Sequence, residues 1–119
     1  MKILIAEDEV VLYKVLEEKF KEEKFEVIIV PDGSAVMSMV KKNKPDIILL
    51  DIILPEVDGI EILSKLKEDK ILREIPVIIL SNLGEDQKIK QALKLGAVDY
   101  MVKSQHPIQE VVEKVREYI

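Results

Sequence analysis

Apolar residues gather in five short runs: ILIA (3–6), EVIIV (26–30), DIILL (46–50), PVIIL (76–80) and VDYMV (98–102). Each is nearly continuous and rich in β-branched residues, as in strands that are covered on both faces. Between the runs the apolar positions change to helical spacing. Val11, Leu12, Val15, Leu16 and Phe20 form a first stripe, and Val36, Met37 and Val40 a second. Leu63 and Leu66 make a third, and Ile89, Ala92 and Leu93 a fourth. The last stripe, Ile108, Val111, Val112, Val115, Tyr118 and Ile119, keeps the i, i+3, i+4, i+7 pattern to the final residue.

The punctuation agrees with these elements. PDGS (31–34) and VDGI (57–60) carry turn residues ahead of the second and third helices. Gly96 follows the fourth helix, where a left-handed cap is common, and Pro107 fits the first turn of the fifth. Strict strand–helix alternation predicts one α/β domain over residues 1–119, a (βα)5 doubly wound parallel sheet. With five strands the expected order is 2-1-3-4-5, and ligands then bind beyond the carboxyl ends of the strands.

That rule directs attention to the residue following each run. Strand one is followed by Glu7 and Asp8, strand three by Asp51, strand four by Ser81 and strand five by Lys103. In the expected order these four strands are contiguous, so three carboxylates, a hydroxyl and an ammonium converge on one rim. Asp51, stranded in the apolar stretch DIILLDIILP, is thereby placed at the sheet's upper edge rather than inside it. Three clustered carboxylates repel one another, so at least one pKa rises unless a cation sits among them. Lys103 supplies one positive charge; a hard divalent ion such as Mg²⁺, which prefers oxygen ligands, would supply the rest.

Composition narrows the classes. The chain of 119 residues is 48% hydrophobic, enough for a core, and 34% charged, which favours solubility. No apolar stretch approaches the roughly 18 residues of a membrane span. MKILIAEDE reaches acid too early for a signal peptide, and no cysteine is present, so a cytoplasmic location is expected. A net charge of −5 with no separate basic cluster argues against direct nucleic-acid binding.

ILIAEDE, PDIILLDIILPEVDGIE, IPVIILSN and LGAVDYMVKS, in this order and spacing, resemble the receiver domain of two-component response regulators, with its flavodoxin-like fold. The resemblance spans the whole chain. It implies that Asp51 is the phosphoacceptor, a carboxylate nucleophile that takes phosphoryl from a phosphohistidine. Asp8 and Asp51 would be direct Mg²⁺ ligands, Glu7 would act through water, and the Ile53 carbonyl would complete the protein's share. Lys103 would pair with one phosphoryl oxygen and Ser81 would hydrogen-bond another. Tyr100 matches the switch aromatic, whose ring moves inward when Ser81 is drawn toward the phosphoryl group. The mobile element would be the loop SNLGED (81–86), and the readout the face of helix four, strand five and helix five.

The implied role is signalling rather than metabolic catalysis, with self-phosphorylation and slow dephosphorylation as its only chemistry. Implied partners are a sensor histidine kinase or phosphotransfer protein, and a downstream protein or a C-terminal output domain if the chain is a fragment. The family also forms homodimers on the helix-four/helix-five face. Two positions depart from common family practice. Ser104 follows Lys103 where a cis proline is frequent, and without proline the cis form costs roughly 3 kcal/mol. Ile53 and Leu83 are apolar where polar side chains could orient an attacking water, which predicts a long-lived aspartyl phosphate.

Rival functions fit less well. A flavodoxin-like cofactor binder needs a Ser-, Thr- or Gly-rich phosphate loop after strand one, and AEDEVV is acidic. A haloacid-dehalogenase-like phosphatase uses an Asp two residues beyond its nucleophile, where this chain has Ile53. The P-loop signature is absent. A receiver that no longer takes phosphate gains no support, since every site residue type is present.

Overall fold

The computed structural model describes residues 1–119. Five parallel strands, β1 (Lys2–Ala6), β2 (Glu26–Val30), β3 (Ile47–Leu50), β4 (Val77–Ser81) and β5 (Asp99–Val102), pair in the order β2-β1-β3-β4-β5, as expected. Five helices alternate with them: α1 (Val10–Glu22), α2 (Gly33–Asn43), α3 (Gly59–Glu68), α4 (Asp86–Leu95) and α5 (Ile108–Glu117).

The strand side chains divide by parity into two cores. Leu4, Ile48, Leu50, Val77 and Ile79 pack against Val36 and Val40 of α2, Ile60, Ile62, Leu63 and Leu66 of α3, and Ala92 of α4. Ile3, Ile5, Ile47, Leu49, Ile78, Leu80 and Met101 face the other way, onto Leu16 and Phe20 of α1 and Val111, Val112 and Val115 of α5. Burial on both faces is why the strands read as unbroken apolar runs instead of alternating ones. Met37 and Met39 pack at the edge of the first core, and Met101 lies inside the second.

Two helix starts are fixed by aspartates. Asp32 accepts from the Ser34 N–H at 2.9 Å and Asp58 from the Ile60 N–H at 2.9 Å, each satisfying a donor that the helix leaves free. Gly96 closes α4 with a φ of 115°, a left-handed cap that a side chain would strain. Pro107 sits at the cap position just before α5, one residue ahead of the expected first turn, and its carbonyl accepts from Glu110 and Val111.

Other expectations shift. In the first stripe, Leu16 and Phe20 are buried, whereas Val11 and Val15 are 76% and 44% exposed. Leu93 of α4 is also exposed, and Tyr118 and Ile119 lie at the surface beyond the buried Val111, Val112 and Val115. Two short 3-10 turns, Leu72–Glu74 and Lys103–Gln105, lie where the apolar pattern gave no element. Every peptide bond is trans, including that between Lys103 and Ser104.

Candidate functional site

The site follows from where the strands stop. β1 ends at Ala6, so Glu7 and Asp8 emerge at the rim; β3 ends at Leu50, so Asp51 emerges beside them. The Asp51 N–H still donates to the Ala6 carbonyl at 3.0 Å, which ties the two strand ends together. Carboxylate oxygens of Glu7, Asp8 and Asp51 lie within 4.8 Å of one another. Glu7 and Asp51 are buried and Asp8 is exposed.

Lys103, delivered by the end of β5, bridges the two buried acids. Its ammonium donates to Asp51 Oδ2 at 2.8 Å and lies 2.5 Å from Glu7 Oε1. The remaining oxygens are oriented by backbone: the Ile53 N–H donates to Asp51 Oδ1 at 3.0 Å, and the Glu9 N–H to Glu7 Oε2 at 3.1 Å. One ammonium is thus divided between two carboxylates, with Asp8 beside them as a third negative charge. Three negatives against one positive leave a deficit that one divalent cation would balance.

Titration behaviour reflects that division. Burial pushes the Glu7 carboxyl up, and the hydrogen bonds from Lys103 and the Glu9 N–H offset this only in part, while the charge of Asp51 raises it further. Burial alone would lower the Lys103 ammonium, but its bonds to Asp51 and Glu7, with their charges, outweigh burial and hold it above its ordinary value. The folded chain therefore binds the Glu7 proton more tightly than the unfolded chain. Stability falls as pH rises through the window that opens at the ordinary value of 4.5 and closes at the raised folded value. Glu7→Gln removes this fall. Without metal, its stability relative to wild type should rise in urea melts as pH increases above the ordinary value of 4.5; a difference that does not change with pH would contradict the assignment.

The acids and Lys103 open into a cleft of about 280 Å³, lined also by Glu9, Ile53 and Asn82. The donor set is all oxygen, close-set and anionic, which fits Mg²⁺ and not a thiolate- or imidazole-seeking metal. Ile53 is 56% exposed at the mouth of the cleft. Leu83 does not line it; its side chain packs against the core shared with α2, α3 and α4. Asn82 had no signal in the sequence beyond standing next to Ser81.

The comparisons with known proteins decide the family. The model of the response regulator receiver domain matches residues 3–116. The chain belongs to the response regulator receiver family. It is 38% identical over 112 residues to the response regulator PleD of Caulobacter vibrioides, covering 93% of this chain and 24% of that protein. It is 35% identical over 118 residues to sporulation initiation phosphotransferase F of Bacillus subtilis, covering 99% of this chain and 93% of that protein. Among solved structures, the receiver domain of the sensor histidine kinase PA1611 from Pseudomonas aeruginosa, with a magnesium ion coordinated in its active site cleft, superposes with a TM-score of 0.87. That match has 25% identity and covers 98% of this chain and 95% of the other. The chain spans between about a quarter and a half of several curated relatives, PleD and the alkaline phosphatase synthesis transcriptional regulatory protein PhoP of Bacillus subtilis among them.

Two further residues of the receiver lie behind the cleft. Ser81 is fully buried at the end of β4, and its hydroxyl accepts from the Leu83 N–H at 3.4 Å. Tyr100 of β5 pairs in register with Ile79 and donates its hydroxyl to the Leu83 carbonyl, so its ring is partly buried against the loop after β4. Burial lifts the Tyr100 hydroxyl pKa, its hydrogen bond with Ser81 opposes this, and the charges of Asp51 and Glu85 add to it. His106 pairs with Glu110 at 2.7 Å across the first turn of α5, on the surface, as expected for a loop histidine. Lys44 caps α2 in a left-handed conformation and, with Lys41 and Lys42, forms a solvated helix end. No helix is long and apolar enough to cross a membrane.

Proposed function

We propose that residues 1–119 form one receiver unit that accepts a phosphoryl group on Asp51 in a Mg²⁺-dependent reaction. The observation that supports this most strongly is the Lys103 ammonium held on Asp51 at 2.8 Å within a three-carboxylate cluster. An Asp51 carboxylate oxygen attacks the phosphorus of a phosphohistidine; the P–O bond forms, the P–N bond breaks with its electron pair passing to the ring nitrogen, and the imidazole leaves neutral by taking a proton from water. Asp51 and Asp8 would hold Mg²⁺ directly, Glu7 through water, and the Ile53 carbonyl would add a ligand, the ion supplying neutralisation of phosphoryl charge. Lys103 is placed to follow the transferred group by exchanging its bond to Asp51 for one to a phosphoryl oxygen. Phosphoryl transfer needs little beyond such positioning and charge neutralisation.

Phosphorylation adds nearly two negative charges at Asp51. Ser81, already turned toward the loop after β4, would donate to a phosphoryl oxygen and draw that loop inward. Tyr100, bonded to Leu83 of the same loop, would carry the movement to the face of α4, β5 and α5. The unit acts as a signalling phosphoacceptor in the cytoplasm, not as a metabolic enzyme, and does not itself bind nucleic acid. Its partners are a histidine kinase or phosphotransfer protein upstream and, downstream, a protein or an attached output domain met on that face, where a homodimer is also accommodated.

The test is phosphoryl transfer from a phosphorylated histidine phosphotransfer domain, with and without Mg²⁺; absence of transfer, or transfer indifferent to metal, would overturn the proposal. Lifetime is a separate outcome. With apolar Ile53 at the cleft mouth, the aspartyl phosphate should decay slowly, and Ile53→Asn should hasten decay by helping to orient water. Decay that is unchanged or slower in Ile53→Asn would contradict this reading.

A further inference from the structure

Two glycines grip the loop that leaves Asp51. Gly59 opens α3, and a Cβ built on it would lie 2.4 Å from the Asp51 carbonyl oxygen and 2.5 Å from Ile52 Cα. Its N–H donates to the Ile52 carbonyl at 2.8 Å. Gly33 opens α2, and its Cβ would lie 2.9 Å from the Pro55 carbonyl oxygen, 3.2 Å from that of Val57 and 3.3 Å from Leu54 Cβ. Ordinary non-bonded carbon contacts sit at about 3.5 Å or beyond. Neither glycine has a positive φ, so the backbone would accept alanine, and helix propensity favours it. Only space requires glycine at these two positions.

The two contacts are made by equivalent parts of neighbouring helices. Each glycine follows a capping aspartate, Asp32 or Asp58, so both helix starts are fixed in place and cannot yield freely. Residues 51–57 run between them. That segment carries the Ile53 N–H that orients Asp51 Oδ1, and the Ile53 carbonyl proposed as a metal ligand. A methyl at either glycine therefore pushes on the backbone that aims the acceptor.

Resting on the phosphoacceptor reading, we infer that Gly33 and Gly59 are positioning residues that set the seat of the 51–57 loop and, through it, Mg²⁺ affinity and the aim of Asp51. Gly33 touches no proposed ligand, so any effect of its replacement on metal binding has to pass through the loop.

The experiment compares wild type, Gly33→Ala, Gly59→Ala and Val115→Ala. The last opens the core on the opposite sheet face and controls for lost stability. Each variant is titrated with Mg²⁺ and then with beryllofluoride, well below its melting temperature, and the Ile53 amide resonance is followed without metal. Both glycine variants should bind Mg²⁺ about tenfold or more weakly, as when supporting contacts of a metal site are removed. Their Ile53 amide should shift, while Val115→Ala should match wild type in both. Gly33→Ala covers the case in which Gly59→Ala fails to fold. Wild-type affinity in a folded Gly33→Ala, or an equal loss in Val115→Ala, overturns the inference alone. Absence of Mg²⁺ uptake by wild type overturns the phosphoacceptor reading, and the inference with it.

Discussion

Asp51→Asn should abolish phosphoryl and beryllofluoride uptake and, without metal, should make the protein more stable rather than less. The two effects share a cause. Asp51 is the proposed nucleophile, and an amide oxygen cannot form the acyl phosphate. It is also one of three carboxylates within 4.8 Å served by one ammonium. At an effective dielectric constant of 20, two like charges about 4 Å apart repel by about 4 kcal/mol. Removing one carboxylate relieves two such pairs, while the amide oxygen still accepts from Lys103 and the Ile53 N–H. Because the stronger, charged bond to Lys103 is lost, the net gain should be about 1–2 kcal/mol, a rise in melting temperature of several degrees. Added Mg²⁺ should narrow the gap by stabilising wild type more than the variant. Calorimetry with and without Mg²⁺ checks both signs; a destabilised metal-free Asp51→Asn would mean that the acids are not in conflict.

Lys103→Met should have the opposite sign and a larger size. The ammonium bonds to Asp51 and pairs with Glu7, and both acids are buried. Removing it leaves two buried carboxylates facing each other with no counter-charge, a change that costs on the order of 3 kcal/mol when one partner of a buried ion pair is deleted. Because the Lys103 pKa is raised by folding, its stabilisation is fully present below its ordinary value of 10.5 and disappears only as pH rises through the higher folded value, so the loss should be visible at neutral pH. Mg²⁺ should restore part of it by replacing the missing positive charge. Phosphoryl uptake should remain severely impaired even at saturating Mg²⁺, since no other cationic side chain lines the cleft to pair with the transferred group. Urea melts with and without metal measure the first effect; Lys103→Met as stable as wild type without metal would show that the bridge carries little energy.

Most of the architecture was legible in the sequence because both sheet faces are covered. Cover on both faces makes ILIA, IILL and VIIL stand out, the edge strand EVIIV keeps the same apolar run although its middle residues are only half-buried, and strict alternation leaves few topologies open. The chemistry was legible for a related reason: Glu7, Asp8, Asp51, Ser81 and Lys103 each end or follow a strand, so the sheet order alone brings them together. Helix faces were less legible. The arc from Val11 to Phe20 is wide, and periodicity does not say which edge of a wide apolar arc meets the sheet; Leu16 and Phe20 went inward and Val11 and Val15 outward. The third stripe was read as Leu63 and Leu66, while Ile60 and Ile62 are buried with them, because α3 lies deep against both the sheet and its neighbours.

What the sequence could not express is distance between separate segments. Gly33 and Gly59 read as turn residues, which accounts for neither one: both have ordinary backbone angles, and both are required by a carbonyl two to three ångströms from where a methyl would sit. Nothing in the sequence marks Lys67, yet its ammonium donates to the Arg73 and Ile75 carbonyls at 3.0 and 2.9 Å and closes the turn that leads into β4. Leu83 stands with Ile53 in the sequence as an apolar residue where a polar one could orient water, but its side chain packs against the core while its carbonyl accepts from Tyr100.

The most direct measurement is chemical. The chain is incubated with a small phosphodonor, with or without Mg²⁺, and treated with borohydride, which reduces an aspartyl phosphate to homoserine; peptide mass spectrometry then locates the change. Homoserine at position 51 alone, formed only when the divalent ion is present, is the predicted result. Homoserine at another acid, or an equal yield at 51 after removal of divalent ions, would contradict the account.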